Sequence, residues 1–392
     1  MQHRQHGFSE FLEVPLKPLP LIIILLVLNH IASYGSRVTV TLFAIDLKSS
    51  VFTIGLLMAL YAVLPAFLSV ATGRWIDRIG IEKPFQIGSI TVGIGTFIPF
   101  VWPSIYALYA TSVIVGVGFM LINVAAYHAV GEMSAPDERP VNFSYVALGF
   151  STSTFIAPIL SGVAIDTFGH RGAFLILSLF TVLPIIALSM KLMPMHRPHA
   201  SAGEQPVGKV LDLLRDADLR RLFITMAIIT VAWDVYGFAI PLHATSIGLS
   251  ASEIGIVLGA FAAATFTVRL AMPFIANRIR PWTMLRFALL MAGLSFALIP
   301  FANGIAPLML LMFMLGLGLG APQPMVLTLL HEAAPKGRAG EALGLRTTLI
   351  NASQTTMPML FGALGATLGL APIFWALAVF LLGGGALTRD KR

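Results

Sequence analysis

IITVAWDVYGFAIP, residues 228–241, is a run in which one carboxylate, Asp234, interrupts an otherwise oily segment. A carboxylate at the centre of a membrane helix costs roughly 2.5 to 3.5 kcal/mol, so the fold must offset that cost or use it. The run is one of many. Apolar stretches of about 20 residues, each long enough to cross a bilayer as a helix, occur at 19–46, 51–72, 85–102, 104–130, 141–165, 172–192, 221–246, 253–276, 283–302, 305–330, 343–367 and 371–387. These twelve predicted spans lack the every-second-residue alternation of a membrane barrel. The fold class is therefore an all-α polytopic membrane protein. Composition agrees: 57% of residues are hydrophobic and 11% charged, mean hydropathy is +0.86, and a soluble domain carries about 25% charge.

Of the 25 Lys and Arg residues, 21 fall in predicted loops, or within four residues of a span end, on the side of the N-terminus; Lys48 and Arg171 fall on the other side, and Arg37 and Arg269 deeper inside spans. Basic loops stay cytoplasmic, which predicts a bacterial-type inner membrane protein with both termini in the cytoplasm. The net charge of +7 is thus topological and calls for no nucleic-acid partner. The chain has no Cys, which excludes disulfides and thiolate-bound metal. No Walker loop or other enzyme motif is present, so no catalytic residue, cofactor or metal is predicted. The first span is too long for the apolar core of a signal peptide and is read as an uncleaved helix.

The chain nearly repeats itself at an offset of about 200 residues. IGLL from Ile54 is answered by IGIV from Ile254, GVGF from Gly116 by GLGL from Gly316, and Pro158 and Gly162 by Pro358 and Gly362. Two six-helix units, 19–192 and 221–387, follow, in the parallel-repeat plan of a transporter whose site lies between the halves near the midplane. A cytoplasmic segment, 1–18, precedes them and a tail, 388–392, follows. The linker 193–220 leads into VGKVLDLLRDADLRRL (207–222), read as an interfacial amphipathic helix.

After the second span, GRWIDRIGIEKP (73–84) resembles the signature loop of the major facilitator superfamily. Gly73, Asp77, Arg78, Gly80 and Lys83 carry the match, and Ile81-Glu82 departs from the usual basic pair. The resemblance implies the twelve-helix major facilitator fold and a gate in which Asp77 meets the cytoplasmic end of span 11 while Arg74 and Arg78 latch the halves. Free amides at a helix N-terminus stabilise such a carboxylate. The second copy, PFIANRIR (273–280), keeps Arg278 but has Asn277 in place of the acid. LGFSTSTFIAPILSGVAID (148–166) resembles the fifth-helix motif of the superfamily's antiporters, with Gly149, Pro158 and Gly162 in place and Ala157 where Gly is usual. Pro158 and Gly162 join the predicted gating set. In span 4, Ser112 stands where proton-driven exporters usually carry Arg.

The family likeness implies that helices 1, 4, 7 and 10 line a central cavity. In LLVLNHIASYGSRVTVTLF (25–43), Asn29, Ser33, Ser36, Arg37 and Thr41 share one helical face, flanked by His30 and Tyr34. Arg37 corresponds to Gly237 in the repeat, one turn beyond Asp234, so Arg37 and Asp234 are expected within about a turn in depth. Their attraction would offset part of each burial cost. The pair is read as a substrate and proton site, as a structural tie between halves, or as two separately solvated residues. A carboxylate beside a removable positive charge is a natural proton carrier. The predicted substrate and proton residues are Asp234, Arg37, His30, Asn29 and Tyr34, with Trp233, Asn123, Gln323 and Asn351. Arg269 is expected to snorkel or to bind a carbonyl in the cytoplasmic third of its span, with no partner implied by its repeat mate Ser69. His128, Glu132, His331 and Glu332 read as structural charges near the gate.

The function implied is secondary active transport by alternating access: proton-coupled export of small amphipathic organic molecules by a monomer surrounded by membrane lipid. Uptake of an organic anion gripped by Arg37 is the alternative. A transport-dead receptor or a lipid transporter on the same scaffold is the third reading.

Overall fold

The computed structural model describes residues 18–134, 138–190, 214–275, 279–333 and 339–388, apart from some side chains, those of Asp77 and Gln323 among them. Every regular element described is helical: α1 (Pro18–Asp46), α2 (Val51–Ile79), α3 (Glu82–Val101), α4 (Ile105–Met133), α5 (Arg139–Leu179), α6 (Val182–Ser189), α7 (Ala217–Ser246), α8 (Ala251–Ile275), α9 (Pro281–Leu298) with a 3-10 turn at Ile299–Phe301, α10 (Ile305–Gly320), α11 (Pro322–Ala333), α12 (Ala339–Leu368) and α13 (Leu370–Leu387).

Eight helical stretches among the described residues are long and apolar enough to cross a membrane. One of them, Asn142–Ser189, has 48 residues, more than twice what a bilayer needs. Gly169, at φ 70°, breaks it into two passes; a residue with a Cβ is strained there. With α10 and α11 as one interrupted pass, and with α12 and α13, the described residues make twelve passes. The loop expected between spans 5 and 6 is therefore only a kink. The tenth pass breaks at Ala321, where Pro322 cannot donate to the preceding turn.

The linker helix expected over 207–222 is also revised. Asp216 caps a helix start by accepting from the amides of Asp218 and Leu219, each at 2.9 Å, so α7 begins at Ala217 and absorbs the end of that stretch. Residues 207–213 lie outside the described part.

The face on which α1 begins and α13 ends is termed the near face. At the opposite, far face two seams join α1–α6 to α7–α13. In one, α2 packs on α12: a Cβ on Gly55 would lie 2.2 Å from the Pro358 carbonyl oxygen, and one on Gly362 would lie 3.1 Å from that of Val51. In the other, α5 packs on α8: a Cβ on Gly255 would lie 2.5 Å from the Pro158 oxygen, and one on Gly162 would lie 2.2 Å from that of Ala251. These are the repeat positions 55/255, 162/362 and 158/358, so the internal repeat is expressed as two equivalent backbone contacts. Small residues let membrane helices approach this closely. One seam has an addition. Asp166 accepts from the amides of Ala251 at 3.2 Å and Ser252 at 2.8 Å, placing a carboxylate on the positive end of α8. Its repeat mate is Ala366, so the α2–α12 seam lacks this latch.

A side chain at either seam forces the halves apart. Overpacking costs about 1–3 kcal/mol, enough for about a tenfold shift toward states open at the far face. Gly162→Val and Gly255→Val are expected to raise maleimide labelling of single cysteines placed in the far-face vestibule of this Cys-free chain. Gly383→Val on α13, an exposed position where a Cβ would meet nothing within 4 Å among the described residues, is the control expected to change nothing. Equal labelling in all three would remove the seams as the closing contact.

Candidate functional site

Three neighbouring cavities that share lining residues lie on the near-face side of the seams, two of them between the halves. The largest, about 560 Å³, takes His30, Ser33, Tyr34 and Arg37 from α1, Gly116, Phe119, Met120, Asn123 and Val124 from α4, and Thr347, Asn351 and Gln354 from α12. A second, about 100 Å³, reaches both Arg37 and Asp234. A third, about 250 Å³, lies within the second half among α7, α8, α10, α11 and α12. Trp233 and Gln354 line all three, so the compartments surround one centre.

Helical periodicity explains which residues arrive there. The lining face of α1 is 30, 33, 34 and 37, and that of α12 includes 346, 347, 350, 351 and 354, each following the 3.6-residue repeat. The polar stripe expected on α1 is therefore rotated by about one position. Asn29 does not line the cavity: it is fully buried, and its Nδ2 donates to the Leu25 carbonyl at 2.9 Å and to Ser89 Oγ of α3 at 3.1 Å. Ser36 donates to the Ser33 carbonyl and bonds the Tyr61 hydroxyl at 3.0 Å. His30 does line it; Ser153 Oγ bonds its Nδ1, and its ring packs on Tyr34, Phe119 and Phe150.

Arg37 and Asp234 share the small cavity but form no ion pair among the described residues. The Arg37 guanidinium lies 5.0 Å from the Tyr61 ring centroid, and Asp234 Oδ2 accepts from Ser353 Oγ of α12 at 2.7 Å. The carboxylate is held within its own half, and of the three readings of the pair a direct tie is not formed among the described residues. Bonds between the halves among the described residues include Tyr34 to Tyr236, hydroxyl to hydroxyl at 2.8 Å, and Arg269 to Ser151 Oγ. Arg269 accordingly lines two of the cavities and does not snorkel to the interface. Ser69, its repeat mate, lines the largest.

Trp233, Asn123 and Asn351 stand where expected, on the cavity wall. Arg346, counted among the basic residues of a loop, proves instead to lie on α12 with its guanidinium in the third cavity. The signal was present, since Arg346, Thr347, Asn351 and Gln354 share a helical face. Of the gating residues, Gly80 ends α2 at φ 84° with its amide donating to the Ile76 carbonyl, and Arg74 and Arg78 are exposed. Among the described residues, none lies within 4 Å of where a Cβ on Gly73 would stand. Pro158 and Gly162 belong to the far-face seam. Arg278 and the side chains of Asp77, Gln323, His331 and Glu332 lie outside the described residues. His128 and Glu132 approach to 3.6 Å across one turn of α4, a local contact as expected.

Comparison with known proteins adds a family. The model of the Major Facilitator Superfamily matches residues 22–351, with a second match over 222–389. The quinolone resistance protein NorA of Staphylococcus aureus is 24% identical over 357 residues, spanning 88% of this chain and 89% of the relative. Among solved structures, a POT family transporter bound to a thioalcohol-conjugated peptide superposes with a TM-score of 0.76 at 15% identity, covering 94% of each chain. An inward-facing bacterial homologue of the human lysosomal transporter Spinster gives 0.74 at 16%, covering 95% of this chain and 96% of that one. At these identities the structures speak for the fold alone.

Because no ion pair joins Arg37 to Asp234 among the described residues, the direct contact that removing the guanidinium breaks is the one with the Tyr61 ring, worth about 0.5–1 kcal/mol at such sites. Arg37→Gln is expected to unfold within about 3 °C of the parent in a thermal scan. A much larger fall, reversed by adding Asp234→Asn, would reinstate the tie.

Proposed function

The chain belongs to the Major Facilitator Superfamily, and on that premise we propose that it exports small amphipathic organic molecules in exchange for protons by alternating access. In this reading it works as a monomer in the inner membrane, with the near face and both termini in the cytoplasm. One observation carries the proposal: a cavity built from both halves, sealed at the far face by two glycine seams, holds a single carboxylate among the described residues of its aromatic and polar walls. Mixed walls of this kind suit a ligand with an apolar body and few polar groups. The likeness to a relative named for quinolone resistance supports the outward direction.

Asp234 is the proton carrier in this scheme. Substrate entering from the near face displaces the proton, and the carboxylate is then held by Ser353 and by the field of Arg37 across the small cavity. The halves rock about the seams, which open as the near face closes. A proton from the far side returns to Asp234 as substrate leaves, and the neutral acid crosses back without an unpaired charge in the low-dielectric interior. One proton moves inward for each substrate moved outward.

Asp234→Asn keeps the shape and one acceptor but cannot carry a proton. In reconstituted vesicles the mutant is expected to bind and exchange an amphipathic dye at rates within about threefold of the parent, as expected when a lost interaction is worth under about 1 kcal/mol, yet to build no dye gradient from an imposed pH difference. Gradient-driven accumulation that survives in Asp234→Asn would assign the coupling to another group.

A further inference from the structure

The third cavity, inside the second half, differs in character from the central one. Its walls are largely apolar, from Met226, Ile229, Leu319 and Val326, yet it receives two guanidiniums, Arg269 and Arg346, against one carboxylate, Asp234. Arg269 is engaged with Ser151 of α5. Arg346 is different: it is partly buried, its Nε is enclosed, and no acceptor among the described residues reaches it. A guanidinium in a membrane interior is costly without a counter-charge, and an enclosed N–H without an acceptor adds the desolvation penalty of that group. With Asp234 ionised, the cavity carries one unit of uncompensated positive charge. One monoanion would cancel it.

The geometry points to this cavity as the binding subsite for an organic monoanion with an apolar body, its anionic group on Arg346 and its body along the α7 and α10–α11 walls. The subsite is distinct from the Arg37 compartment, which lies on the other side of Trp233 and Asp234 and takes its cation from the first half. A carboxylate matches a guanidinium's fork of N–H donors, which a neutral amide does not. A volume of about 250 Å³ is on the scale of a small aromatic or branched aliphatic acid. This inference rests on the export reading for its place in the cycle, since Asp234, the proton carrier of that reading, lines the same cavity.

The test uses a matched pair of probes, 2-naphthoic acid and 2-naphthamide, with the full chain in nanodiscs at pH 7.5. Binding is read from quenching of tryptophan emission, with Trp233 at the cavity edge, and checked by isothermal calorimetry. The parent is expected to bind the acid about tenfold more tightly than the amide, as a charge-assisted hydrogen bond implies. Arg346→Gln is expected to reduce that preference to within about twofold while leaving amide affinity unchanged, and Arg346→Lys to retain part of it. No preference in the parent, or a preference that persists in Arg346→Gln and is lost in Arg37→Gln, overturns the assignment. Efflux of a lipophilic cationic dye from vesicles is measured alongside. Efflux without acid preference removes this subsite and leaves the export reading standing. Acid preference without efflux of any probe keeps the subsite and removes the export reading.

Discussion

Backbone contact at the far face is the constraint from which the remaining geometry follows. Where Gly55 meets the Pro358 carbonyl and Gly255 meets that of Pro158, no side chain separates the helices, so each pair has only one rotational setting. That setting decides which stripe of α2, α5, α8 and α12 is spent on packing and which is left to face the space below. The cavities are what remains when helices pinned at one end diverge toward the other. Proline at 158 and 358 contributes by removing a donor from the helix at the level of the seam, and glycine at 162 and 362 continues the smooth surface one turn further.

How much of this was readable beforehand divides along a physical line. Helical passes were legible because length and hydropathy are local properties: the twelve spans are present, and the paired motifs at 55/255, 158/358 and 162/362 prove to be the seams themselves. The division between spans 5 and 6 was legible too, since Gly169 falls between 165 and 172, although its form as a kink was not. The break at Ala321 was not legible, because it sits inside the apolar run 305–330, which hydropathy sees as continuous. Rotational setting was only half legible. The stripe of Asn29, Ser33, Ser36 and Arg37 on α1 was taken to face the cavity, yet Asn29 and Ser36 spend their hydrogen bonds on Ser89, Leu25, Ser33 and Tyr61. A polar residue in a membrane helix announces that it needs a partner; it does not say whether the partner is water, ligand or the next helix.

Arg346 shows the complementary error. Sorting basic residues by side is a rule about translocation, and it holds for the set as a whole. It cannot separate a guanidinium that stays in the headgroup region from one a few residues further along that turns inward. Here the deciding fact is the phase of α12, which places 346 on the same face as 350 and 354. The neighbouring polar residues carried that phase in the sequence, and span 343–367 included the residue, but sorting basic residues by side placed it with the adjoining loop.

The two halves agree where backbone meets backbone and differ where side chains meet the cavity. Gly116 and Gly316 sit against the backbones of Tyr61 and Phe261, also repeat mates. In contrast, Arg37 is matched by Gly237, Asp234 by Tyr34, Arg269 by Ser69 and Arg346 by Val146. Symmetric charges would be self-defeating: an arginine at 237 would bring a second guanidinium toward Arg37 in a cavity of about 100 Å³, and like charges in a low-dielectric pocket repel strongly. Asymmetry lets one half supply the carboxylate with its fixed donor, Ser353, while the other supplies a cation free of any ion pair. In the proposed cycle, a rocking motion that keeps each half rigid changes the distance between unlike charges without breaking the bond that holds either one in place. The scaffold repeats so that both seams can part alike, and the lining diverges so that the proposed motion has an electrostatic consequence.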